Sequence, residues 1–280
     1  MTARTHEIEE SIGAGTVRPG DAEYESARRV WNGLIDRRPA LIVRCATTAD
    51  VIDALALARR HGLAVAVRGG GHNVAGFATI DDGLVIDLGA MNEVEVDVPR
   101  RVARVGGGAR WADVDRATQV FGLATPGGLV SATGVAGLTL GGGLGWLRGK
   151  HGLTCDNLVA AEVALADGQV VRASADDHAE LLWGLRGGGG NFGVVTRFEF
   201  ALHPVGPDVF FAFAFHDGRR DGMRDALRRY RDFCVDTPDS IAPIGVCGVV
   251  PPGHEMFPAE LHGVPFFLAA AMYAGSPEEG

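Results

Sequence analysis

Three consecutive glycines, Gly69, Gly70 and Gly71, constrain this chain more than any other feature of its sequence. They follow an apolar, strand-like run over residues 64–67 and directly precede His72. A glycine turn after a strand carries no Cβ atoms, so its backbone N–H groups can approach an anion such as a diphosphate. His72 then has two interpretations. Its side chain projects toward the ligand whose diphosphate the turn would bind, or it is a structural histidine in a turn.

Composition and charge narrow the class of protein. The 280 residues carry a formal net charge of -9, which disfavours nucleic-acid and anionic-membrane partners because an acidic surface does not attract a polyanion. The four cysteines show neither paired nor metal-ligand spacing, so we expect no metal site. The sequence shows no signal-peptide pattern and no apolar run of membrane-spanning length, which predicts a cytoplasmic protein.

Hydrophobic patterns and turn residues predict alternating strands and helices as far as residue 204, and a separate sheet beyond residue 207. Strands are expected over residues 41–44, 64–68, 84–88, 94–98, 101–105, 158–166, 169–174, 192–200, 209–215, 241–250 and 264–273. Helices are expected over residues 111–121, 177–185 and 219–235.

Two further helices are predicted from particular residues. The capping-box pair Thr47 and Asp50 indicates the start of a helix, and Gly62 indicates its end. An earlier helix is expected to begin at Tyr24 and to continue past Trp31, because apolar residues recur there on one helical face.

A second glycine-dense stretch over residues 125–145 is expected to form another loop that approaches a ligand closely. Gly188, Gly190 and Gly193 match the dinucleotide-binding fingerprint as a string. That fingerprint requires a strand before it and a helix after it, whereas the pattern here predicts the opposite order. A nicotinamide-type Rossmann site is therefore disfavoured.

Five motifs, taken in order, resemble those of FAD-linked oxidases of the berberine-bridge-enzyme-like group, which belongs to the vanillyl-alcohol-oxidase type of flavoprotein. The resemblance is continuous over about residues 36–206 and looser beyond them. The motifs occupy residues 68–73, 124–128, 133–145, 152–157 and 186–195.

The resemblance implies an α+β fold. A PCMH-type FAD-binding domain of two α/β subdomains would be followed by a partial substrate-binding domain with an antiparallel sheet and helices. The implied boundaries are an N-terminal lead-in and helix over residues 1–35, the FAD-binding domain over 36–206, and the partial substrate domain over 207–280. Family members continue well past residue 280, so we expect the catalytic base to lie beyond it and assign none.

The resemblance also implies a cofactor site. The glycine backbone would hold the pyrophosphate, His72 would be bonded covalently to the 8α-methyl group of the flavin, and Val195 would meet the adenine end through its main chain. Members with two covalent links carry a cysteine where this chain has Leu129 and Val130, and Cys155 lies well downstream, so one link is expected. The implied FAD-binding residues are Arg68, Gly69, Gly70, Gly71, His72, Asn73, Gly76, Pro126, Gly127, Gly128, Thr133, Gly134, Gly137, Gly143 and Val195.

The activity that the resemblance implies is that of an FAD-dependent oxidase. Such an enzyme moves a hydride from a C–H bond of an alcohol, sugar or amine to flavin N5, and O2 reoxidises the flavin to give H2O2. Two alternatives stay open: a truncated flavin-binding domain without turnover, and an FAD dehydrogenase that does not use O2. A noncovalent reductase of the enolpyruvyl-UDP-sugar type is disfavoured, because those enzymes do not need a histidine at position 72.

Overall fold

The structure, a computed structural model, describes residues 15–276 except His254 and Met256. The chain divides into two compact units, residues 15–145 with 153–204, and residues 146–152 with 205–276. Residues 1–14 of the predicted N-terminal segment and the last four residues of the predicted substrate domain lie outside the described residues. The domain boundaries inferred from the sequence stay a prediction.

The first unit begins with a small, mainly parallel sheet. Its elements are β1 (Thr16–Val17), α1 (Tyr24–Ala27), β2 (Leu41–Arg44), α2 (Thr48–His61), β3 (Val65–Arg68) and β4 (Leu84–Asp87). The strand order is β1-β2-β4-β3, and β2 and β3 both pair in parallel with β4. The carboxyl ends of these three strands therefore share one edge of the sheet, and the chain enters the first glycine loop at that edge.

A five-stranded antiparallel sheet completes the first unit. Its strand order is β5-β6-β10-β8-β9, and the side chains of Trp111, Phe198 and Phe200 are fully buried in its core. The elements are β5 (Val94–Asp97), β6 (Val102–Gly106), α3 (Trp111–Gln119), β7 (Leu123–Ala124), α4 (Val135–Leu140), a 3-10 helix (Thr154–Asn157), β8 (Leu158–Ala164), β9 (Val170–Ser174), α6 (Ala179–Leu185), β10 (Val194–Ala201) and β11 (His203–Pro204).

The second unit is a three-stranded antiparallel sheet of order β12-β14-β13, with a long helix packed against one face. Phe267 is buried against the ring of Tyr230 on that helix, with 5.4 Å between the ring centroids. Its elements are α5 (Arg148–His151), β12 (Phe210–Asp217), α7 (Arg220–Val235), β13 (Ile241–Val249), a 3-10 helix (Ala259–Leu261) and β14 (Pro265–Tyr273). The two kinds of sheet confirm the α+β class, and the second unit has the expected antiparallel sheet and helix.

Local signals in the sequence correctly predicted the ends of α2. The hydroxyl of Thr47 accepts a hydrogen bond from the N–H of Asp50 at 3.2 Å, and the Asp50 carboxylate accepts one from the N–H of Thr47 at 2.9 Å. At the other end, Gly62 adopts a φ of 62°. This left-handed conformation is common for glycine at helix ends, because glycine has no Cβ atom to clash there.

The first predicted helix is wrong in its length. α1 ends at Ala27, and Trp31 and Leu34 are 67% and 91% exposed instead of packing on one helical face. A tertiary contact overrides the helical pattern, because the N–H of Trp31 donates to the carbonyl of Gly71 at 3.1 Å rather than to a carbonyl one turn earlier. The segment after α1 thereby runs along the first glycine loop.

The second glycine-dense stretch is not a loop throughout, because it contains the short helix α4. Glycine lowers helix propensity, so this sequence gives little local indication of a helix. Within the part of the chain that the structure describes, no helix is long and apolar enough to cross a membrane.

We predict that Thr47→Ala lowers the free energy of unfolding by about 1 kcal/mol, because the N–H of Asp50 loses its capping partner. Urea denaturation of the purified variant measures the change. Gln119→Ala is the control, since this exposed side chain at the end of α3 makes no capping bond. Equal stability of the two variants would show that the capping box does not stabilise α2.

Candidate cofactor site

The loop that follows β3 has unused backbone donors. Among the residues that the structure describes, none of the N–H groups of residues 69–73 donates a hydrogen bond to a protein acceptor. Several carbonyl groups of this segment are paired. Those of Arg68, Gly71 and Asn73 accept from backbone N–H groups of Leu88, Trp31 and Gly76, at 2.9, 3.1 and 3.0 Å. Consecutive unpaired N–H groups form a concave site that attracts an anion.

The imidazole of His72 lies next to these donors and is held on two sides. Its Nδ1 is 2.9 Å from the carbonyl oxygen of Gly70, and because a carbonyl can only accept, Nδ1 carries the proton. In the neutral tautomer that makes this bond, the lone pair is on Nε2. The indole of Trp31 stacks on the imidazole, with 5.8 Å between ring centroids and 27° between the planes.

The two predicted glycine stretches meet through their backbones. A Cβ atom on Gly70 would overlap the backbone N and Cα of Gly134, and a Cβ atom on Gly134 would overlap the backbone N of Gly70. A Cβ atom on Gly69 would lie 3.1 Å from the carbonyl oxygen of Gly107. The loop after β3 thus contacts the start of α4 and the residue after β6 at points where side chains do not fit.

Comparison with known proteins agrees with this geometry. Residues 39–174 match the family described as FAD binding domain. The chain is 40% identical over 195 residues to (R)-6-hydroxynicotine oxidase of Paenarthrobacter nicotinovorans, an alignment that covers 70% of this chain and 43% of that protein. The chain belongs to the berberine-bridge-enzyme-like FAD-linked oxidoreductases.

Solved structures support the same assignment. The structure of 6-hydroxy-D-nicotine oxidase from Arthrobacter nicotinovorans superposes with a TM-score of 0.87 at 33% identity, covering 96% of this chain and 57% of that one. The berberine-bridge-enzyme-like protein 1 of Physcomitrella patens gives a TM-score of 0.81 at 27% identity, covering 95% and 55%. The chain therefore spans about half the length of the relatives it matches.

The residues present fit an FAD diphosphate. The unpaired N–H groups of residues 69–73 supply hydrogen-bond donors without side chains in the way, and Gly71 has a φ of 71° that favours glycine. Gly137 lies in open space, since nothing stands within 4 Å of the position that its Cβ atom would take. These glycines leave room for close approach of a flat or charged group.

Other glycines of the predicted site serve packing within the protein. Gly127 and Gly128 lie against the indole of Trp111, where a Cβ atom on Gly127 would be 2.5 Å from Cε3. Gly143 lies against the side chain of Thr154. These neighbours leave no room for a Cβ atom, which explains why glycine occupies these positions. Contact of the three glycines with the flavin stays a prediction.

Arg68 is directed into the fold. Its guanidinium donates to the carboxylate of Asp87 at 2.8 Å and to the carbonyl of Ala27 at 2.6 Å, and the residue is only 8% exposed. In this arrangement its charge is balanced by Asp87, and its predicted contact with FAD stays untested.

The remaining predicted residues occupy varied positions. The Asn73 side chain accepts from the N–H of Phe77 at 3.2 Å, and Gly76 has a φ of 75° with Ile35 beside it. Pro126 is buried, and the carbonyl of Thr133 accepts from the N–H of Trp111 at 3.1 Å. Val195 lies in β10, and its carbonyl oxygen faces Gly107.

Cys155 is an unfavourable site for a second covalent link. The thiol is buried, and burial raises its pKa, as does the neighbouring Asp156 carboxylate. Because the thiolate is the nucleophilic form, a raised pKa makes this cysteine less reactive.

Motif analysis missed two parts of the site. The first is Gly107, which lies beside Gly69. It belongs to the glycine triplet of residues 106–108, which is as clear a signal in the sequence as that of residues 69–71. Trp31 was assigned to a helix face, and no local pattern indicates its contact with His72.

We predict that Gly134→Ala costs about 1–3 kcal/mol of unfolding free energy, because the added methyl group overlaps the backbone of Gly70. Gly137→Ala is the matched control, since its methyl group enters open space within α4 and improves helix propensity. Urea denaturation of both variants measures the difference. A Gly134→Ala variant as stable as Gly137→Ala would contradict the close approach of the two loops.

Proposed function

We propose that this chain is the cofactor-binding part of an FAD-dependent oxidase that takes a hydride from a C–H bond of an alcohol, sugar or amine. The observation that carries the proposal is the row of unpaired N–H groups over residues 69–73 with His72 among them. The relative named (R)-6-hydroxynicotine oxidase supports an oxidase among the activities open to the family.

The chain's own residues bind and orient the cofactor. The N–H groups of Gly69, Gly70 and Gly71 would hold the diphosphate, and the open face at Gly137 would let the cofactor approach the backbone. Bound FAD supplies the hydride acceptor at flavin N5, while a protein base removes the proton of the substrate hydroxyl or amine. No residue is assigned as that base.

We infer one covalent link, from His72 to the flavin 8α position. The position of His72 within the row of unpaired N–H groups supports it, because a cofactor held by those groups would lie beside the imidazole. The buried thiol of Cys155, whose pKa is raised by burial, argues against a second link there.

Two other functions belong to the same fold. Because the chain spans 43% of the nicotine oxidase relative, flavin binding without turnover is a specific alternative for the chain by itself. The other alternative is a dehydrogenase that does not use O2. It differs from the proposed oxidase only in the molecule that accepts the electrons of the reduced flavin.

We predict that acid precipitation of the wild-type protein leaves the yellow colour in the pellet, and that His72→Ala moves it to the supernatant. The variant keeps the N–H groups of residues 69–71, so it should still bind FAD without a covalent bond. Intact-mass analysis identifies the attached cofactor. Cys155→Ala is the control and should retain covalent FAD, whereas covalent FAD in His72→Ala would exclude His72 as the attachment site.

We also predict that H2O2 forms when the protein is mixed with a suitable member of a panel of alcohols, sugars and amines in air. Flavin absorbance under anaerobic conditions gives the reductive half-reaction separately. Bleaching without H2O2 on admission of air would indicate a dehydrogenase. A flavin that no substrate bleaches would favour binding without turnover.

A further inference from the structure

We propose that Glu162 is a positioning residue for the adenine end of FAD. Through the hydroxyl of Thr196 it fixes a β-bulge in strand β10, and that bulge sets the main chain of Val195. The inference rests on the proposed function and deepens it, because it concerns how this protein presents Val195 to the cofactor. Glu162 lies outside every glycine motif of the sequence.

Strand β10 contains one residue more than its pairing with β8 requires. Val195 lies opposite Val163 in this pair of strands. The next pair is Arg197 opposite Glu162, so Thr196 is the extra residue of a β-bulge. A bulge bends its strand and changes the direction of neighbouring groups, and bulges are common beside functional sites.

The bulge decides which face of the sheet each side chain of β10 occupies. Val195 and Phe198 belong to the same core cluster, although residues three positions apart face opposite sides of a regular strand. The extra residue between them reverses the alternation. A strand without the bulge would place one of these two side chains on the other face of the sheet. The orientation of Val195 therefore depends on the bulge at Thr196.

A hydrogen-bond network holds the bulge from the side of α2. One carboxylate oxygen of Glu162, Oε1, accepts from the hydroxyl of Thr196 at 2.7 Å and from the hydroxyl of Thr48 at 2.9 Å. Thr196 is only 2% exposed, and a buried hydroxyl needs a partner in the protein. Thr48 is the first residue of α2. Glu162 therefore ties the extra residue of the bulge to this helix.

The main chain of the bulge lies beside the residues that approach the first glycine loop. The carbonyl of Thr196 accepts from the N–H of Gly107 at 2.9 Å, and a Cβ atom on Gly107 would overlap the carbonyl oxygen of Val195. The carbonyl of Gly107 in turn lies against Gly69, the first glycine of the loop that would hold the diphosphate. Because adenosine is joined directly to the diphosphate of FAD, main-chain groups near this loop are suited to bind the adenine end.

The test compares two variants that break the network with two that keep it. Glu162→Ala removes the acceptor, and Thr196→Val removes the donor but keeps a β-branched side chain. Glu162→Gln keeps Oε1, and Thr196→Ser keeps a hydroxyl. All four are made in a His72→Ala parent, so that flavin binding is reversible whether or not the wild-type protein forms a covalent link. Fluorescence titration of the apoproteins gives dissociation constants for FAD and for FMN.

We expect Glu162→Ala and Thr196→Val to weaken FAD binding about 3- to 10-fold, which corresponds to about 0.7–1.4 kcal/mol, the net contribution of one hydrogen bond. FMN ends at its single phosphate and has no adenosine, so its affinity should change by less than about 2-fold. Glu162→Gln and Thr196→Ser should bind FAD as the parent does. A general loss of structure would weaken both flavins, so the comparison with FMN isolates the adenine end.

Glu95→Ala is the matched control. Glu95 is an exposed glutamate of the same sheet, in β5, and it pairs with Arg104 instead of the bulge, so neither affinity should change. Unchanged FAD binding in Glu162→Ala and Thr196→Val would overturn the inference and leave the proposed function standing, as would equal weakening of FAD and FMN. A parent that binds neither flavin would overturn the proposed function, and the inference with it.

Discussion

The structure depends on the close approach of two backbones, at Gly70 and Gly134. The first unit has two main core clusters, one around Leu84 and Ile86 and one around Phe198 and Phe200, and the first of them includes Ala164 and Val194 of the antiparallel sheet. Glycine at both positions lets the loop after β3 meet the start of α4 without an intervening side chain. The same absence of side chains leaves no Cβ atom on the glycines whose N–H groups are unpaired, so the close approach of the two segments and the anion site that we propose depend on the same residues.

Much of the first unit could be predicted from its sequence, because the signals involved are local. The capping box of α2 and its terminal Gly62 lie within one helix. The hairpin between β8 and β9 turns at Gly168, which has a φ of 91° and follows Asp167. In each case, residues only a few positions apart determine the structure, so their order in the sequence is sufficient.

The errors concern interactions between residues that are distant in the sequence. Apolar periodicity extended the first helix through Trp31, but a hydrogen bond to Gly71, forty residues later, overrides it. Arg68 is next to the glycines in sequence, while its partner Asp87 comes from the neighbouring strand. A motif identifies such residues as members of a site. Only the fold shows which of their side chains are bonded to other parts of the protein.

The electrostatic character of the first loop follows from what its carbonyl groups do. Peptide N–H and C=O groups have opposing partial charges, and a loop with both free would have no preferred sign. Here Trp31 and Asn32, in the segment that precedes the parallel sheet, donate to the carbonyls of Gly71 and Val74, and His72 contacts that of Gly70. Among the described residues, unpaired N–H groups therefore outnumber unpaired carbonyl groups over residues 69–73, which favours a positive face on this loop. The segment before the sheet therefore supports the anion site that we propose at this loop, although it contains no glycine motif of its own.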